Sequence, residues 1–166
     1  MDRRPALALV AAALVAAAIG WWWWTARSPA EREVRRLFDD FVTEFNAGTS
    51  GGFATLAHAV RIGEFFTPDV VVELGQGSPA IEGRETLIGM AGRLQPRTAA
   101  FVIEIDDVSV EFTGPDRGDV TFTTVIRRRS VVSGEESIDA REFAAEVVRG
   151  GGRWRISRVA AIDTLR

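Results

Sequence analysis

The feature that most constrains this chain is a change of hydrophobic period near Thr98. Upstream, apolar residues recur at helical spacing: Val34, Leu37, Phe38, Phe41, Val42 and Phe45 make one wide aromatic stripe. Downstream the period is two. Phe101, Ile103 and Ile105 alternate with Val102, Glu104 and Asp106. The phase then slips at Asp106-Asp107, and Val108, Val110 and Phe112 continue it. A slip of one residue inside a long strand predicts a bulge and a bend. Three tight connections, Gly114–Gly118, Ser133–Glu136 and Gly150–Gly152, separate four long strands and predict an antiparallel meander. The fold class that follows is α+β, with helices on one face of a curved antiparallel sheet.

The helical half has its own punctuation. Ser28-Pro29-Ala30-Glu31 is a helix start, with Ser28 as cap, Pro29 in the first turn and Glu31 completing a capping box; Asn46-Ala47-Gly48 closes it. Ser50 to Phe66 reads as a second helix or pair of turns, and Thr67-Pro68-Asp69 as a turn. Val70 to Leu74 is a strand, Ala80-Ile81-Glu82 a short return strand, and Arg84 to Leu94 a third helix that Pro96 ends.

Ahead of all this lies an apolar run from Pro5 to Trp24, flanked by Arg3-Arg4 and ending in four consecutive tryptophans. A helix of about 20 residues reaches about 30 Å, the thickness of a bilayer's hydrocarbon core. Secretory signals carry a shorter apolar stretch, and tryptophan favours the membrane–water interface. The expectation is a transmembrane anchor over residues 1–27, bound to lipid through residues 5–24, with a domain at 28–166 on the extracytoplasmic side of the cell membrane. A signal cleaved near Ala26 or Ala30 is the main competing reading, and a buried core helix the other, which the run's lack of a polar face disfavours.

Composition excludes several chemistries. The 166 residues contain no Cys, no Tyr and one His, His58. Disulfides, thiol nucleophiles, a histidine-rich metal cage and a tyrosine proton donor are therefore ruled out. No metal or other cofactor is expected. Charge is nearly balanced, 20 basic against 23 acidic residues, which gives no long-range pull toward nucleic acid.

Element order and three stretches, "FFTPDVVVEL" (65–74), "IEGRETLIGM" (81–90) and "GGRWRISRV" (151–159), resemble the nuclear-transport-factor-two-like superfamily, also described as cystatin-like or SnoaL-like. The resemblance covers about Ser28 to Asp163 and implies a cone-shaped roll with three helices. Members of that superfamily include isomerases, cyclases, dehydratases and epoxide hydrolases, binding domains without chemistry, and membrane-anchored assembly subunits. Carried over residue by residue, the tyrosine of the ketosteroid isomerase type has no counterpart. His58 is the candidate for the His of the polyketide cyclase type. Asp139 and Arg141 could supply two members of the Asp–Arg–Asp set of the limonene epoxide hydrolase type, with Glu73 or Asp106 as the third.

Two functional readings stand beside each other. The first is a membrane-anchored, non-catalytic binding or assembly domain that uses an apolar pocket or the sheet face for a small molecule or a protein partner, a second copy or an envelope complex included. Its pocket would be lined by Phe41, Phe45, Phe65, Phe101, Ile103, Phe122, Thr124 and Phe143. The second is a membrane-tethered isomerase or hydrolase using Glu73, Asp106, Asp139, Arg141 or His58. They separate on whether the carboxylates and Arg141 converge in one cavity. The anchor makes its own prediction: the full chain sediments with membranes, and deletion of residues 1–27 moves the domain into the soluble fraction. Equal solubility of the two forms in a fractionation experiment would remove the anchor.

Overall fold

The structure, a computed structural model, describes residues 28–47, 53–75, 77–93, 99–130 and 134–162. Among them no helix is long and apolar enough to cross a membrane; the expected span at 5–24 lies outside the described residues. The chain forms two compact units, 1–33 and 34–166. Of the first, the described residues are the helix cap and the turn behind it.

Helix α1 runs Pro29–Asn46. The Glu31 N–H donates to Ser28 Oγ at 3.0 Å, the side-chain cap that the first turn's sequence calls for. Helix α2 (Phe53–Gly63) follows, then strand β1 (Phe66–Glu73), the two-residue strand β2 (Ile81–Glu82) and helix α3 (Arg84–Arg93). Strands β3 (Ala99–Gly114), β4 (Arg117–Ser130), β5 (Glu136–Gly150) and β6 (Arg153–Ala161) complete the order. Gly63 fixes how closely α2 and α3 approach: a Cβ there would lie 2.5 Å from Ile88 Cδ1. Gly151 and Gly152, both at positive φ, close the β5–β6 hairpin, where two consecutive left-handed residues match the twist of the strands.

The sheet order is β2-β1-β6-β5-β4-β3. The β3–β6 meander is antiparallel throughout, as the turns predict. The expectation of a wholly antiparallel sheet is corrected at one seam: β1 pairs with β6 in parallel, so the sheet is mixed. The cause is the chain's long route. From β1 it passes through β2, α3 and the whole meander before β6 returns beside it in the same direction. Strand β1 also begins earlier than Val70. Thr67-Pro68-Asp69 belongs to it rather than to a separate turn, and its pairing with β6 is interrupted between Phe66 and Val71. Pro68 falls in that interruption, which suits a residue with no N–H to give.

The expected bulge is present. The β3–β4 register shifts between Asp106 and Ser109, and Asp107 has φ +53°. Asp tolerates this conformation better than most residues because its short polar side chain can bond locally. The bulge lets one long strand serve the core along its whole length. Beyond it, Val110 pairs with Val120, which is fully buried.

The core lies between α1 and the inner face of the sheet. Val34 and Phe38 of α1 are buried, at 0% and 2% exposure, with Val70, Val120, Phe122, Ala145, Val147, Trp154 and Ile156 from the strands. The Phe38 ring meets Phe122 at 5.1 Å, and Phe122 stacks on its cross-strand partner Phe143 at 5.8 Å. Deleting a ring buried as fully as Phe38 costs about 3–5 kcal/mol.

Asn46 secures the other end of α1. Its Nδ2 donates to the Ile103 carbonyl at 2.7 Å, and its Oδ1 accepts from the Ile103 N–H at 2.9 Å. β3 is the terminal strand of the sheet, so these groups face away from β4. The amide therefore acts as a one-residue substitute for a neighbouring strand on an edge that would otherwise present open backbone groups.

The bulge carries a prediction. Asp107→Gly should leave stability unchanged or slightly raised, whereas Asp107→Val, with a branched side chain forced to positive φ, should lose about 1–2 kcal/mol in urea denaturation. Equal midpoints for the two variants would show that the bend does not depend on this residue.

Candidate functional site

Strands β4 and β5 build the candidate site by register. Phe122 opposes Phe143, Thr124 opposes Arg141, and Ile126 opposes Asp139, without a shift between them. Because alternate residues of a strand share a face, all six project from the side on which Phe122 meets α1. Ile103 and Ile105 of β3 extend the rows, opposite Ile126 and Thr124. The inner face thus passes from the buried Phe122 and half-buried Phe143, through the buried Thr124, to the half-exposed pair Arg141 and Asp139. The Arg141 Nε donates to Asp139 Oδ2 at 3.3 Å, and the two side chains are 56% and 53% exposed. This guanidinium and carboxylate stand where the greasy face opens to water. They can offer a donor and a base to a ligand whose apolar body rests on Phe143.

The other expected residues divide. Phe41, Phe45 and Phe65 do not share that face. Phe41 packs edge-on against Phe65 and Phe66, each at 5.7 Å, and tilts on Phe45 at 5.9 Å. They form an aromatic cluster where α1 meets the entry to β1, with Phe45 still 37% exposed at its margin, so they stand apart from the β4–β5 rows. Helix periodicity cannot tell a filled contact from a cavity wall. Phe101 lies on β3 opposite Arg128, and its side chain falls outside the described set.

The proposed third carboxylates stand elsewhere. Glu73 takes two bonds from Arg158 Nη2, at 3.0 and 2.9 Å, across the parallel β1–β6 seam. Asp106 is exposed at the bulge on β3. Neither joins Asp139 and Arg141, so the Asp–Arg–Asp set does not assemble. Among the described residues no group of three His, Cys, Asp or Glu side chains is arranged to hold a metal ion.

His58 has a partner that sequence alone does not show. On α2 its Nδ1 donates to Glu44 Oε1 at 3.1 Å, and the Arg61 Nε donates to the same oxygen. The His58 side chain is 12% exposed. Glu44 flanks the apolar stripe of α1. The arrangement straps α2 to α1 through one carboxylate, and places no proton-transfer group beside Asp139. The hydrogen bond from Arg61 foremost, then that from His58, holds the Glu44 carboxyl below its usual range, against the opposing effect of burial. Glu44 and Arg61 escape sequence analysis because they lie 17 residues apart on different helices, and no local spacing records their meeting.

The pH consequence follows from linkage. A carboxyl whose folded pKa is depressed adds stability that is fully present above its unfolded pKa and is lost as pH falls through the folded one. Glu44→Gln should therefore lower the melting temperature at pH 7, and the gap to the wild type should close as pH drops below the ordinary carboxylate range. A gap that stays constant into acid would place the strap's contribution in packing alone.

The comparisons agree with this architecture. No curated protein matches the chain significantly. Among solved structures, a candidate scytalone dehydratase from Novosphingobium aromaticivorans superposes with TM-score 0.66 at 14% identity, over 81% of this chain and 83% of that one. The hexachlorocyclohexane dehydrochlorinase LinA-type3 from Novosphingobium barchaimii gives 0.64 at 14% identity, over 82% and 87%. Aln2 from a Streptomyces species gives 0.66 at 15% identity, over 81% and 91%. At such identities the likeness is one of fold. The profile of the SnoaL-like domain family matches residues 26–160, nearly all of the chain outside the N-terminal run, and the chain belongs to that family.

Proposed function

We propose that this SnoaL-like domain carries out proton-transfer chemistry, of isomerase or hydrolase type, on a small and largely apolar molecule at the inner face of β4 and β5. Asp139 takes the proton. Arg141 donates to the oxygen on which negative charge develops. Phe143 and Thr124 seat the apolar body. The observation that carries this reading is the register itself, which sets the Asp139–Arg141 pair on the same face as the Phe122–Phe143 stack. Support comes also from the fold's company, since a candidate dehydratase and a dehydrochlorinase superpose on it. In this reading the N-terminal run tethers the domain to a bilayer, where apolar substrates concentrate.

A second reading keeps the seat and omits the chemistry. The exposure of Asp139 and Arg141 favours it, as does the placement of Glu73 and Asp106 away from them, since convergence of these groups was the condition for the catalytic reading.

One pair of measurements separates the two. The anionic dye 1-anilinonaphthalene-8-sulfonate should bind the wild type, and roughly tenfold more weakly to Arg141→Gln and Phe143→Ala. In deuterium oxide, the wild type should speed α-hydrogen exchange of 2-tetralone, followed by NMR, and Asp139→Asn should return it to the buffer rate. Dye binding without exchange establishes the non-catalytic seat. Dye binding indifferent to both substitutions removes this face as the site.

A further inference from the structure

A second concavity lies outside the sheet face just described, bounded by the flank of α1, the end of α2 and the start of β6, with a volume of about 320 Å³. Its apolar lining is Leu37, Phe65 and the buried Trp154, one residue from each of the three regions that meet there. Around these stand three carboxylates, Asp40 and Glu44 on α1 and Glu64 just past α2. Three arginines line it as well: Arg61 at the end of α2, and Arg153 and Arg155 on β6. Formal charge around the concavity is therefore balanced, three against three.

The two signs are used unequally. Glu44 is bonded to His58 and Arg61 in the strap between helices, and Arg155 Nη1 donates to the Gly150 carbonyl at 3.4 Å. Asp40, Glu64 and Arg153 are exposed residues of the rim. A purely anionic ligand would meet the carboxylates, and a purely cationic one the guanidiniums. A molecule with both charges and an apolar middle satisfies all three parts of the lining.

We infer that this concavity is a binding site for a small zwitterion, an apolar amino acid or dipeptide. Its ammonium group is held by Asp40 and Glu64, its carboxylate by Arg153, and its side chains rest on Leu37, Phe65 and Trp154. The site is separate from Asp139 and Arg141 and does not depend on the reading given for them.

The test is isothermal titration of the full-length chain with leucyl-phenylalanine, its N-acetyl form and its C-terminal amide. The free dipeptide should bind saturably. Each blocked form should bind at least about tenfold more weakly, since each loses one charge-assisted contact. Arg153→Gln should weaken the free dipeptide while making little difference to the amide, and Glu64→Gln should behave likewise toward the N-acetyl form. Both substitutions are at exposed positions, so circular dichroism should match the wild type. Absence of saturable binding by all three, or equal binding of blocked and free forms, overturns the inference.

Discussion

The contact on which the rest depends is that between the aromatic stripe of α1 and the inner face of the sheet. Phe38 sits against Phe122, and Phe122 in turn stacks on Phe143, so one helix residue ties together two strands of the meander. Apolar burial supplies the attraction but has no direction of its own. Direction comes from one end, where Asn46 at the last residue of the helix bonds both backbone groups of Ile103 on the terminal strand. The amide thus sets the height of α1 against β3 while covering an exposed edge.

This packing also explains where chemistry can sit. The aromatic residues nearest α1 are consumed by one another: Phe41 with Phe65 and Phe66, Phe38 with Phe122. Farther along β4 and β5, beyond Phe143, the rows continue through the buried Thr124 and the half-buried Ile126 to the exposed Arg141 and Asp139. The charged Arg141 and Asp139 sit there because water is near enough to solvate them without an added desolvation cost. The ion pairs elsewhere are ties between neighbouring elements. Arg158 with Glu73 spans β6 and β1, Arg127 with Glu104 spans β4 and β3, and Arg61 with Glu44 spans the two helices. Exposed pairs of this kind are screened by water and contribute little each, so they refine the fold rather than hold it.

Much of the architecture was legible in the residues. The bulge at Asp106-Asp107 could be read because alternation is a strict period of two, and one extra residue breaks it visibly. The shared face of Asp139 and Arg141 could be read for the same reason. The parallel seam between β1 and β6 could not, since no local pattern records which distant strand returns to pair with β1. Nor could the clustering of Phe41 with Phe45, Phe65 and Phe66: spacing marks apolar positions, and says nothing about which rings meet one another. Glu44 was invisible as His58's partner because the two lie on different helices.

By itself the sequence determined the α+β class, the antiparallel meander, the bend, and the absence of thiol and tyrosine chemistry, because periods, turn residues and composition are local properties of the chain. The tertiary structure alone decided the mixed sheet, the Asn46 clamp, the separation of Glu73 and Asp106 from Arg141, and the mixed-charge concavity beside Trp154. Each of these is a meeting of residues far apart in the chain, and such meetings are fixed by packing geometry rather than by spacing.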